Sequence, residues 1–144
     1  MPIIAKDTKK VFTPAPSGVH SGACCDVVDL GLQTTPWGEK PQVELRFQLG
    51  KSDADGRRYL VLRRFTNTLS EKGNLRPFLE SWFGREITDK EAEEGIDLED
   101  VCLSIPALLQ VVHVESQGKV YANIKTIMPL PDGYPAVTVE GYTR

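Results

Sequence analysis

A chain of 144 residues, 40% hydrophobic and 26% charged, carries enough apolar side chain for one buried core and too much to stay disordered. Taken alone, its formal charge of −3 argues against a nucleic-acid binder. No apolar run approaches the ~20 residues that cross a bilayer, and the opening "MPIIAKDTKK" lacks a basic-then-apolar signal pattern, so a cytoplasmic protein without a membrane partner is expected.

The charge is unevenly placed. Residues 89–100, "DKEAEEGIDLED", hold seven acids and one lysine, a local −6 that leaves about +3 on the rest. Most arginines fall between positions 46 and 85. The cysteines, Cys24, Cys25 and Cys102, are odd in number and form no CxxC pair, so a reducing compartment and unpaired thiols are expected. His20 with Cys24 and Cys25 has poor zinc-ligand spacing and no second ligand pair follows; no metal or cofactor is expected.

Residues 1–22 read as a partly flexible lead-in, loosest at "TPAPSG". "ACCDVVDLGL", 23–32, is apolar and β-branched, a first strand. "QTTPWGEKP" carries Pro36, Gly38 and Pro41 and reads as a loop. "QVELRFQL" alternates strictly, with Val43, Leu45, Phe47 and Leu49 on one face and Gln42, Glu44, Arg46 and Gln48 on the other, the pattern of a half-buried strand. The turn "GKSDADG" leads into a third strand over 57–66 as a hairpin. Its resemblance to a calcium loop fails for want of the glutamate at loop position twelve.

A helix follows, with Asn74 as N-cap, Pro77 in the first turn and Leu75, Phe78, Leu79 and Trp82 as one apolar stripe up to Gly84. Thr88 to Glu91 has capping-box spacing, opening a short acidic helix that stops near Gly95. "PALLQVVHVES" and "KVYANIKTIM" form a second hairpin around Gln117-Gly118. "AVTVEGY", within a 132–144 extension, is a candidate edge strand. Three strands, a helical insertion and two strands make a mainly β chain. This is the element order of a five-stranded OB-like Greek-key barrel over residues 23–131, with helices between strands three and four. An α+β sheet and a small sandwich share that order.

Two arginine pairs, Arg57-Arg58 and Arg63-Arg64, bracket strand three. Alternation puts one of each pair on either face. If Leu60 and Leu62 face the core, then Arg57, Tyr59 and Arg63 are displayed beside Arg46 and Gln48. That makes a basic groove holding an aromatic, the surface on which single strands bind through phosphate pairing and base stacking. An OB barrel flanks its platform with the loops between strands one and two and between four and five. Those would bring Trp37, and Lys119, Tyr121 and Lys125. The bland reading is that strand-end arginines are solvated and the rings pack on neighbours.

No GxSxG, P-loop, GxGxxG or HExxH pattern occurs, and His20 and His113 lie far apart, so a non-catalytic protein is expected. A metal nuclease using Asp97, Glu99 and Asp100 ranks well behind, because acids from one local segment rarely build such a site.

The stretches "VVDLGLQTTPWGEKPQVELRFQL", "GRRYLVLRRFTNTLSEKGNLRPFLESWFGREIT" and "KVYANIKTIMPLP" resemble small bacteriophage-encoded OB-fold single-stranded DNA-binding proteins of replication and recombination modules. The resemblance covers about residues 22 to 131. It implies a sequence-tolerant single-strand binder in the host cytoplasm, with Trp37, Arg46, Tyr59, Arg63, Tyr121 and Lys125 on the DNA. It departs at the end, "VTVEGYTR", where many such proteins carry an acidic tail. A homodimer is compatible with this reading, and residues 89–100 are the candidate surface for a basic protein partner. The alternative is a structural or protein-interaction module on the same barrel with no nucleic-acid role.

Overall fold

The computed structural model describes residues 14–144; the lead-in before Pro14 lies outside the described residues. The elements are β1 (Gly18–Thr35), β2 (Gly38–Ser52), β3 (Arg58–Thr66), α1 (Leu75–Phe83), α2 (Asp89–Glu94), α3 (Leu98–Cys102), β4 (Pro106–Ser116) and β5 (Lys119–Met128). The five strands form one antiparallel sheet in the order β3-β2-β1-β4-β5. No helix among the described residues is long and apolar enough to cross a membrane.

β1 organises the sheet. It pairs with β4 through Gly18–Ala23 and with β2 through Gly22–Thr35. Register shifts between Cys24 and Asp26 and between Asp29 and Gly31 mark two irregularities that bend it. At the first, Cys25 is left unpaired, so Cys24 stays opposite Phe47 on the core face while Asp26 lies opposite Arg46 on the outer one. The predicted first strand starts too late, because "GVHSG" reads as flexible yet gains its partner only from β4, far along the chain.

The expected closed barrel is not formed. β3 and β5 are the two edges of an open sheet, coming within 8 Å at some Cα atoms without sharing a ladder. α1 packs its apolar stripe into the core and touches both edge strands. Phe78 packs on Phe65 of β3 with ring centroids 4.8 Å apart, and Ser81 donates to the Ile127 carbonyl of β5. Trp82, 1% exposed, packs edge-on against Phe47 at 5.1 Å and donates its indole N–H to the Pro106 carbonyl at 3.0 Å. That satisfies the one polar atom of the largest buried side chain.

Helix ends follow local chemistry with one exception. Thr88 and Glu91 form the capping box, and Gly84 closes α1 at φ 72°. Asn74 occupies the α1 N-cap position but has helical φ/ψ and makes no side-chain cap bond. The loop expected over 33–41 is a correction: both strands run through it to a turn at Pro36-Trp37. Thr35 Oγ1 donates to the Gly38 carbonyl, and Gly38 takes a φ of 102°. The second hairpin turns on Gln117 and Gly118, both at positive φ as a type I′ turn requires. The edge strand expected at "AVTVEGY" is also absent. Residues 135–144 have no strand pairing and instead cross the outer face of β1 and β2 as an irregular strap.

Candidate nucleic-acid interface

The faces of β3 settle which arginines are available. Leu45 pairs with Arg63, Phe47 with Val61 and Val43 with Phe65, so these β3 residues share the core face of β2. Val61 and Phe65 are 2% and 3% exposed, whereas Leu62 is 41% exposed. The expected assignment is therefore inverted. Arg58, Leu60, Leu62 and Arg64 lie on the outer face with Glu44, Arg46 and Gln48; Tyr59 and Arg63 point with the core. Both faces of "YLVLRRF" are apolar enough to be buried. α1, which brings Phe78 onto Phe65, decides between them.

Of the eight residues singled out, three are thereby taken up by the fold. Tyr59 is partly buried against the core. Arg63 stacks its guanidinium over Phe65 and Phe78, 5.1 and 5.5 Å from the ring centroids. Arg46 donates through Nε to Glu44 at 2.6 Å and through Nη1 to the Tyr142 hydroxyl at 3.0 Å. Both contacts hold its guanidinium well above the ordinary arginine range, the Tyr142 bond first.

The other five are exposed and distributed over the turns and the β5 edge. Trp37, 83% exposed, tips the β1–β2 hairpin, and Arg57 sits where the chain enters β3. Lys119 and the half-exposed Tyr121 lie at the start of β5. Lys125 falls between the Gln110–Thr126 and Val111–Ile124 pairs, unpaired in the register.

The outer face of β1 and β2 is largely occupied by the strap. Gln48 Nε2 donates to the Glu140 carbonyl at 2.6 Å, and the Glu140 N–H donates back to Gln48 Oε1 at 2.7 Å. Arg58 donates to the Leu49 and Thr138 carbonyls and pairs with Glu140 at 3.5 Å. The Tyr142 hydroxyl donates to Asp26 at 2.7 Å, and Arg144 bridges Asp26 and Glu99 at 3.0 and 2.9 Å. A hollow of about 540 Å³ remains beside the strap, between His20, Lys51, Arg58 and Pro135–Thr138.

Two buried carboxylates anchor this face. Burial pushes the Glu44 carboxyl up, but hydrogen bonds from Arg64 and Arg46 outweigh it and hold the pKa below the ordinary value. Asp26 behaves alike: burial opposes, and the Tyr142 and Arg144 contacts prevail. Arg64 is the residue that sequence reasoning passed over, because the expected face assignment displayed Arg57 and Arg63 instead. Its side chain is 61% exposed, and it lines a second groove of about 370 Å³ with Leu62, Arg63, Asn123 and Ile124, between the open edges β3 and β5. No sequence signal locates that groove, because it depends on where β5 ends up.

The remaining candidates are accounted for locally. His20 and His113 each contact a backbone carbonyl, of Pro16 and Ala15 respectively. Asp53 accepts from the Asp55 and Arg57 amides, fastening the "DADG" turn. Asp97 caps α3, and no group of three or more metal-ligating side chains occurs among the described residues. The three cysteines are buried and unpaired, and burial raises each thiol, Cys25 to about 11 and Cys102 to about 12. The chain matches no protein-family model and no curated protein.

Proposed function

We propose that this protein is a non-catalytic, sequence-tolerant binder of single-stranded DNA, built on an OB-like sheet and serving phage-type replication or recombination. The observation that carries the reading is the placement of two exposed rings on the hairpins flanking the sheet: Trp37, 83% exposed, between β1 and β2, and Tyr121, 49% exposed, beside the β4–β5 turn. These are the connections that border the ligand face of an OB barrel. Each ring has cationic neighbours in sequence, Lys40 near Trp37, and Lys119 and Lys125 near Tyr121. Bases stack on aromatic faces for ~1–3 kcal/mol each while cations follow the phosphates.

The strand order supports the OB-like reading, being that of a five-stranded barrel opened between β3 and β5. The strap engages Arg46, Gln48 and Arg58, so the accessible surface shifts toward the β3–β5 side and the two turns. The test is fluorescence anisotropy of a labelled oligo-dT of about 30 nucleotides and of its duplex, at low and moderate salt. Tight, salt-sensitive binding of the single strand alone is expected. No binding at low salt would leave a structural or protein-interaction module as the better description.

A further inference from the structure

We infer that the groove between the unjoined edges β3 and β5 is a seat for backbone phosphate groups of the single strand, formed by Arg63 and Arg64, with Glu44 as the residue that positions Arg64. This rests on the nucleic-acid reading and assigns it a site that the exposed rings alone do not.

Arg63 is the unusual member. Arg46, Arg58, Arg64, Arg76, Arg85 and Arg144 each have a carboxylate partner among the described residues. Arg63 has none and makes no side-chain hydrogen bond there either; the same holds for Arg57, but Arg57 is exposed at the entry to β3 whereas Arg63 is partly buried. The rings of Phe65 and Phe78 lie under its guanidinium on the core side. A guanidinium carries five N–H donors and no acceptor, so a held, unpaired one at a groove wall is arranged for an anion.

Arg64 supplies the second cation. Its Nε is spent on Glu44 Oε1 at 2.8 Å, which leaves the two terminal nitrogens with no protein acceptor among the described residues. Glu44 is 1% exposed and gives its other oxygen to Arg46, so it cannot swing outward to neutralise the groove. Asn123 brings an amide to the opposite wall. The groove is donor-rich and of net positive charge, matched to phosphate oxygens.

The geometry disfavours an extended acidic peptide pairing as a sixth strand. Paired strands lie about 4.8 Å apart, so an inserted one needs about 9.6 Å between its neighbours. β3 and β5 approach within 8 Å at Cα.

The experiment is oligo-dT anisotropy on the full chain across a salt series, with Arg63→Ala, Arg63→Lys, Arg64→Ala and Glu44→Gln, and Arg85→Ala as an exposed control. Arg63→Ala and Arg64→Ala should each weaken binding about 5- to 20-fold and flatten the salt slope by about 0.7, the value for one lost phosphate contact on a single strand. Arg63→Lys keeps the charge and should keep the slope while losing affinity. Glu44→Gln discriminates most sharply. Removing a negative charge would tighten binding by simple electrostatics, whereas loss of positioning weakens it, and weakening is expected. Binding by the unaltered chain that Arg63→Ala and Arg64→Ala leave unchanged in affinity and slope would overturn the seat and spare the proposed function. Absence of single-strand binding by the unaltered chain would overturn both. Arg63-dependent capture of a poly-glutamate peptide as tight as that of oligo-dT would overturn the assignment to phosphate.

Discussion

Gln48 and Glu140, 92 positions apart, exchange two hydrogen bonds across the outer face of β2: the side-chain amide donates to the Glu140 carbonyl and accepts from its N–H. A glutamine side chain thus does for the strap what a neighbouring strand would do with its backbone. It also explains why Gln48 is only 5% exposed on a face that alternation marks as polar. Gln48→Ala should cost about 1–3 kcal/mol, since both a bond and a buried backbone partner are lost. Urea denaturation measures this, and a change under 0.5 kcal/mol would show that the strap is not held there.

Tyr142→Phe tests the same strap from its other end. The hydroxyl donates to Asp26 and accepts from Arg46, so its loss leaves two charged groups short of a partner. A destabilisation of about 1–3 kcal/mol is expected, with amide exchange accelerated in residues 135–144 ahead of the sheet. Uniform acceleration throughout the chain would contradict a locally anchored segment.

Trp37→Ala should leave thermal stability within about 0.5 kcal/mol, because the indole tips a hairpin without entering the core. Single-strand affinity should fall by ~1–3 kcal/mol, the value of one stacked base. A stability loss with unchanged affinity would return Trp37 to a packing role.

Acid should loosen the outer face selectively. Asp26 and Glu44 have folded-state pKa values held below their ordinary ones. Their contribution is therefore fully present above the ordinary carboxylate range, about pH 4, and is lost as pH falls through the depressed folded-state values. Stability measured from pH 6 down to pH 2 should drop less steeply in a Glu44→Gln chain, already weaker at neutral pH. Parallel profiles would mean that Glu44 does not drive the acid transition.

The buried thiols should be silent in the native state. Burial raises the Cys24, Cys25 and Cys102 thiols, so the reactive thiolate is scarce at neutral pH. Reaction with a thiol-specific disulfide reagent should proceed at the rate of unfolding. Fast labelling of Cys25, the residue left unpaired at the first irregularity of β1, would show that the outer face opens locally.

Local chemistry determined much of this protein by sequence alone. Strict alternation identified the faces of β2, a 3.6-residue stripe identified the buried side of α1, and Thr88 with Glu91 fixed the start of α2. These signals are legible because each depends on neighbours a few residues away. Only the tertiary structure decided the rest. Which face of β3 is buried depended on Phe78 docking against Phe65, since "YLVLRRF" is apolar on both sides. That β3 and β5 come close without sharing a ladder, and the groove they leave, depended on where β5 lies, some sixty residues after β3. The strap depended on Asp26, Arg46, Gln48 and Arg58 meeting residues 138–144. A turn-rich, unpaired segment has no periodicity to betray its partner, because the side chains that hold it are spread over three strands of the sheet.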